Sequence, residues 1–404
     1  MIVCDLTHAY TPTSGGIRTY IDEKRRYLLA QTPHTHVLVV PGAEDAVERD
    51  GRAVTYRVRS PYIPGSRPYR WFVRPGALRA ALADARPDVL ELNTYYAWPE
   101  SATALRYRDA ARAAGRAPIL SLQFHTDFPR AYAYTYAARV VGGRLAHGVE
   151  RAAERYVRRT LRRCDLAFAF SEAQRRRLAV LGAPRPEVVP LGADLDGFHP
   201  RLRSAAVRVE VGAGPETLLL LYAGRFDSEK HVETLADALA LLPASAQARL
   251  VMAGDGPLRP MLQARAAADD RLVLLPFQSD RRALARLMAS ADVYVTAGPH
   301  ETYGFSVVEA QASGLPVVGV AAGGLRHHVP PGTGLLGPVS DARAFAANVL
   351  RVAARRDVMG AAARRHAEAS YSWAACFEAL LARYERALGA RDASDRPRPE
   401  PRPS

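Results

Sequence analysis

Cysteine is scarce: only Cys4, Cys164 and Cys376 occur in 404 residues. They match no metal-ligand spacing and are too scattered for a disulfide framework, which predicts a reducing, cytoplasmic setting. Long apolar runs are missing too. No stretch approaches the ~18 residues a membrane span needs, and the opening "MIVCDLTHAY" has no basic region followed by an apolar one. The expectation is a protein neither secreted nor integral to a membrane. Lysines are few, so the net charge of +14 is almost all arginine. Such a surplus attracts phosphates in nucleotides, anionic lipids or nucleic acids. Abundant alanine and proline beside it suggest a GC-rich bacterial genome, which lowers the weight of any single arginine.

What is present is globular: 48% hydrophobic and 24% charged, in a chain long enough for two domains. Apolar, β-branched runs predict strands over 2–6, 36–40, 54–58, 88–92, 118–124, 166–170 and 187–191. A second set follows over 217–223, 249–253, 272–276, 292–296, 315–320 and 334–336. Helical patterns such as 18–31, 232–242 and 342–354 lie between them. This alternation implies parallel sheets covered on both faces. The pattern restarts near residue 215, after a weakly periodic stretch read as a linker at about 195–215. The expected architecture is α/β, with two doubly wound Rossmann-like domains, 1–197 and 198–370, facing across a cleft where ligands bind. The Pro-rich, charged segment 389–404 is expected to be a disordered tail. No internal repeat appears.

The stretch "PHETYGFSVVEA", residues 299–310, follows an apolar strand and opens a helix. Gly304, Phe305 and Ser306 form its first turn, where free N–H groups and the dipole suit a diphosphate. Gly304 lets a ligand approach the main chain. Glu309 lies roughly 7.5 Å further along the axis, in reach of a ribose whose phosphates rest on the helix start. Glu301, before the helix, would face hydroxyls of whatever the phosphate carries. Alone, both would read as solvated glutamates. In "LLLLYAGRFDSEKHVETL" (218–235) a strand runs into Arg225 and Lys230, two cations suited to clamping a diphosphate leaving group. "VMAGDGPLRP" (251–260) adds a glycine turn at Gly254, either a wall of a nucleotide pocket or a plain β-turn.

Together, "AGRF…EKHVETL", "MAGDGP" and "HETYGFSVVEAQASGLPVV", with a Glu-x7-Glu spacing, resemble family 4 of the retaining glycosyltransferases, which have the GT-B fold. The resemblance covers nearly the whole chain. It implies that Arg225 and Lys230 bind the donor diphosphate, Glu309 the ribose, Glu301 the transferred sugar, and the backbone at Gly304, Phe305 and Ser306 the sugar and phosphate. It places "YSWAACFEALLARYERAL", about 371–388, as a helix crossing back to the first domain.

In the first half, "SGGIRTY" (14–20) opens a helix, so Gly15 and Gly16 could bring N–H groups to the phosphates; the resemblance puts a Gly-Gly pair here. "LSLQFHTDFPRAY" (120–132) ends a strand at His125, which by resemblance contacts the transferred sugar. Its "HTDFP" run looks like members that move mannose or glucose onto lipid or glycan acceptors, with a lean to GDP-mannose over UDP sugars. Asp127 reads as an acceptor or positioning residue, or as a helix cap or salt-bridge partner. Residues 130–177 hold twelve arginines against four carboxylates. Such a face suits either an anionic bilayer, with the protein peripheral on the inner side of the membrane, or plain solvation.

The expected function is metal-independent, retaining transfer of a hexose from a nucleotide diphosphate sugar to an acceptor hydroxyl. Catalytic roles fall to His125, Glu301, Arg225 and Lys230, with no cofactor. "GADLDGFHP" (192–200) resembles the family's interdomain junction rather than a metal site. The rivals are a nucleotide-sugar epimerase or a phosphorylase of the same architecture, and a basic nucleic-acid-binding protein, although no nucleic-acid recognition motif is present.

Overall fold

The computed structural model describes residues 1–394, apart from 13, 65 and 302. The chain divides into two compact units: residues 1–125, 154–189 and 373 onward form unit 1, and residues 126–153 and 190–372 form unit 2.

Unit 1 contains β1 (Ile2–Leu6), β2 (Thr35–Gly42), β3 (Ala46–Asp50), β4 (Ala53–Arg59), β5 (Val89–Leu92), β6 (Ile119–Gln123), β7 (Leu166–Ala169) and β8 (Glu187–Val188). They form one sheet in the order β3-β4-β2-β1-β5-β6-β7-β8. Every pairing is parallel except β3 with β4. Val3, Leu6, Val39, Leu90 and Leu122 are buried in its core, as expected for strands covered on both faces. Its order reverses between β1 and β5.

Unit 2 contains β9 (Leu218–Ala223), β10 (Ala248–Ala253), β11 (Leu272–Leu275), β12 (Val293–Val295), β13 (Val317–Val320) and β14 (Gly334–Gly337). Their order is β11-β10-β9-β12-β13-β14, all parallel. Counted from β9 this is 3-2-1-4-5-6, the dinucleotide-binding order, whose ligand crevice lies at the reversal between its first and fourth strands. Here that is the gap between the β9 and β12 exit loops.

Every predicted strand is present within one to three residues at each end. β3 was not predicted: "AVERD" is mostly charged and exposed, so it shows no buried face, and it pairs as an edge hairpin through Gly51 at φ +53°. The domain limits also differ. Unit 2 takes up residues 126–153 and begins at Pro190. The expected linker carries a helix, Ala205–Glu210, pinned to unit 2 because Arg203 and Arg208 both pair with Asp292, at 2.7 and 2.9 Å. The last helix runs Trp373–Ser394 and belongs to unit 1. It continues into the segment expected to be unordered, and residues 395–404 lie outside the described residues. No described helix is long and apolar enough to cross a membrane.

Candidate active site

The β9 exit loop is built by close backbone packing. Tyr222 donates from its hydroxyl to the Arg225 carbonyl at 2.8 Å. A Cβ on Gly254 would lie 1.9 Å from the Gly224 carbonyl oxygen, and one on Gly256 would lie 2.5 Å from that of Phe226. The glycines of "MAGDGP" therefore let the β10 loop press against the β9 loop. Gly254 shapes the site through its neighbour's backbone.

The loop then turns through a short 3-10 helix, Ser228–Lys230, capped by Asp227. Lys230 Nζ donates to Glu301 Oε1 at 2.6 Å and lies 3.6 Å from Glu229 Oε1. Burial depresses the lysine's pKa, but Glu301 and Glu229 outweigh it and hold the ammonium charged. Arg225 pairs with Glu229 at 3.1 Å and with Asp227 at 3.3 Å, and its side chain is 42% exposed. The β9 and β12 loops thus meet in an alternating run of charges: Arg225, Glu229, Lys230, Glu301.

Glu301 sits on a loop held from three sides. Gly298 lets the β12 exit pass against Lys230, whose Cα lies 3.3 Å from where a Cβ would be. Gly323, at φ +54°, packs on the Glu301 and Pro299 carbonyls, and Gly324 N donates to the Glu301 carbonyl at 2.6 Å. Tyr303 points inward, its hydroxyl donating to the Leu191 carbonyl at 2.7 Å. Gly304 caps the helix Phe305–Ala312 in the left-handed region, φ +75°, which a side chain would strain. As a glycine, Gly304 offers no side chain to cap that helix, and Tyr294 braces its first turn: the hydroxyl interacts with Ser306 and donates to the Ala223 carbonyl at 3.1 Å.

Glu309, 5% exposed, accepts from Arg281 at 3.0 Å. Arg281 also lies over the Phe198 ring at 5.0 Å. The sequence reading missed Arg281, Tyr294, Gly298 and Gly323. Only the last two leave a local trace, as glycines beside a strand end.

Unit 2 thus assembles Arg225, Lys230, Gly254, Glu301, Gly304, Phe305, Ser306 and Glu309 around the β9–β12 reversal. Gly15, Gly16 and His125 belong to unit 1. Gly15 precedes the helix Gly16–Gln31, and a Cβ there would meet nothing within 4 Å. His125 follows β6, its Nε2 2.9 Å from Asn93 Oδ1 and its ring 5.1 Å from those of Tyr20 and Phe170. Asp127 accepts through its carbonyl from Arg130 and Ala131, where the turn Pro129–Tyr134 starts.

Comparison with known proteins bears directly on this arrangement. The family model for glycosyltransferase family 4 matches residues 14–196, and that for group 1 glycosyl transferases matches residues 217–355. A GDP-mannose-dependent α-(1-6)-phosphatidylinositol dimannoside mannosyltransferase of Mycobacterium tuberculosis is 36% identical over 322 residues, 79% of each chain. The chain belongs to glycosyltransferase family 4. A second relative, a GDP-mannose-dependent α-mannosyltransferase of the same species, is 30% identical and covers 96% of this glycosyltransferase and 97% of its own length. Among solved structures, the sucrose-phosphate synthase of Thermosynechococcus elongatus superposes with a TM-score of 0.78 at 20% identity, over 96% of this chain and all of that one. The glycosyltransferase thus has the GT-B fold.

Proposed function

We propose that this glycosyltransferase moves mannose from GDP-mannose to a hydroxyl of a glycolipid or glycan, retaining the anomeric configuration and needing no metal ion. The observation that carries the donor reading is the Lys230–Glu301 pair beside Arg225, at the strand-order reversal of unit 2. Both relatives compared above are GDP-mannose-dependent by name, which supports GDP-mannose as the donor over a UDP sugar.

Negative charge grows on the diphosphate as its bond to the sugar breaks. Lys230, Arg225 and the positive end of the helix that Gly304 opens meet that charge in advance, which lowers the barrier without reorganisation. They supply the positive potential that a divalent cation would otherwise bring. Glu301, engaged by Lys230, accepts from hydroxyls of the sugar and does not attack it. In the same-face substitution, the sugar's C1–O bond to phosphate breaks, a C1–O bond to the acceptor forms, and the acceptor's proton passes to the leaving phosphate oxygen. Glu309, oriented by Arg281, accepts from the ribose.

The acceptor reading draws on the exposed side of the helix Gly143–Leu161. Leu145, Val149 and Tyr156 form an exposed apolar stripe beside exposed Arg144, Arg151, Arg155 and Arg159. An apolar stripe flanked by arginines suits the headgroup region of an anionic membrane. Leu145→Asp should weaken sedimentation with phosphatidylglycerol vesicles.

The test pairs purified protein with GDP-mannose, UDP-glucose and a bacterial lipid extract, following nucleotide release and product mass. The reading expects GDP release that depends on the lipid and a product heavier by one hexose. Turnover with UDP-glucose alone would overturn the donor assignment. Donor conversion without acceptor would favour an epimerase.

A further inference from the structure

In unit 1, β2 and β4 end together, with Gly42 opposite Arg59 in register. They lie on the side of β1 away from the strand-order reversal. Beyond their carboxyl ends opens a cavity of about 680 Å³ that the proposed transfer reaction does not use. That volume falls among those of small-molecule sites. Its wall carries three arginines, Arg59, Arg70 and Arg74, against one carboxylate, Asp45.

The chain after β4 sets these arginines in place. It folds back on itself: Tyr62 bridges Arg70 in the antiparallel sense, Ile63 N donates to the Tyr69 carbonyl at 2.9 Å, and Trp71 N donates to the Pro61 carbonyl at 3.0 Å. Arg70 Nη1 donates to the Ser60 carbonyl at 2.6 Å, and its guanidinium lies over the Tyr62 ring at 3.8 Å. A guanidinium held in this way is pre-oriented and keeps N–H groups for a ligand. Asp45 ties the rim together. It pairs with Arg74 at 2.5 Å and accepts from the Arg59 main chain at 2.8 Å. Arg59 is exposed, and among the described residues its guanidinium donates no hydrogen bond.

Two guanidinium charges remain once Asp45 has been set against one of them. Arg74 also precedes the helix Pro75–Ala85, whose first turn holds no acidic residue, so the positive end of that helix lies at the same rim. A planar fork of N–H donors matches the oxygens of a phosphate in geometry as well as in charge.

We propose that this cavity binds a phosphate group, with Arg59 and Arg70 as its donors, Arg74 adding to the potential and Asp45 holding the rim in shape. The proposal is independent of the hexosyl-transfer reading, because the cavity lies within unit 1 and the proposed donor contacts lie in unit 2. The phosphate belongs either to a soluble phosphate ester or to a phospholipid headgroup, beside which Trp71 and Val73, 45% and 54% exposed, would meet the membrane surface.

The test measures binding of inorganic phosphate to the full chain by equilibrium dialysis, and binding to phosphatidylglycerol vesicles by sedimentation. For a soluble source, Arg59→Ser and Arg70→Ser each weaken phosphate binding about tenfold to a hundredfold, the worth of a hydrogen bond to a charged group. Arg26→Ser, which removes an arginine 68% exposed elsewhere on unit 1, stays within about twofold of wild type, as does Lys230→Met. For a headgroup source, the same two cavity variants weaken vesicle binding about fivefold and Arg26→Ser does not. Because the Arg59 guanidinium bonds to no described residue, Arg59→Ser should keep the wild-type melting temperature, so its loss of binding cannot be a folding defect. If neither measurement separates Arg59→Ser and Arg70→Ser from Arg26→Ser, or if phosphate binding vanishes in Lys230→Met instead, the proposal is overturned.

Discussion

Lys24 and Lys230 are the only lysines in a chain with 55 basic residues, and they sit in matching places. Each pairs with a carboxylate beside the strand-order reversal of its own unit. The difference is burial. Lys24 is 1% exposed and spends its charge on Asp5 and Glu91, whereas Lys230 is 20% exposed and shares its charge with a loop glutamate. A sealed ammonium organises its neighbours; one at the mouth of a crevice can also meet a ligand. The same chemistry thus serves architecture in unit 1 and, on our reading, catalysis in unit 2.

Breaking the pair in unit 1 should have the largest effect. Lys24→Met leaves Asp5 and Glu91 buried without their cation, a loss of about 3–5 kcal/mol. That is a large part of the marginal stability of an ordinary domain, so urea unfolding should show a much lower midpoint. Lys24→Met combined with Glu91→Gln should recover part of it. Lys230→Met should do the opposite: kcat/KM falls about 10²–10³-fold, while the unfolding midpoint stays close to wild type. Equal effects of the two substitutions on stability would erase the distinction.

A smaller effect is expected at Arg281. Arg281→Ala leaves Glu309 without its guanidinium and should raise the donor KM about tenfold with little change in kcat, as for an interaction made equally in ground and transition states. The smallest is a pH effect on unit 2. His328, held by Tyr371 at 2.7 Å, is pushed down to about 3 by burial, with His327 and His366 adding to it. Its folded pKa lies below the unfolded value, so this contribution is complete above about pH 6.5 and is lost as pH falls toward 3. His328→Asn should flatten the fall in melting temperature across that range.

The fold was largely legible because buried parallel strands write themselves as apolar runs. "LLLLYA" is β9 and "IVCDL" is β1. β3 was not, since a charged edge strand has no buried face to announce it. The unit limits were not, because residues 126–153 belong to unit 2 although residues 154–189 of unit 1 separate them from the rest of it in the chain. Of the site, the cations and glutamates stood in local motifs that follow strand ends. Their supports did not: Arg281 meets Glu309 across 28 positions.

The most direct measurement is calorimetric titration of GDP into wild-type protein and into Lys230→Met. The account predicts binding to the wild type and an affinity lower by about a hundredfold in the variant, the order of magnitude for removing a charge-assisted partner of phosphate. If the wild type bound no GDP, or the variant bound it equally well, the diphosphate would not rest where Lys230 and Glu301 meet.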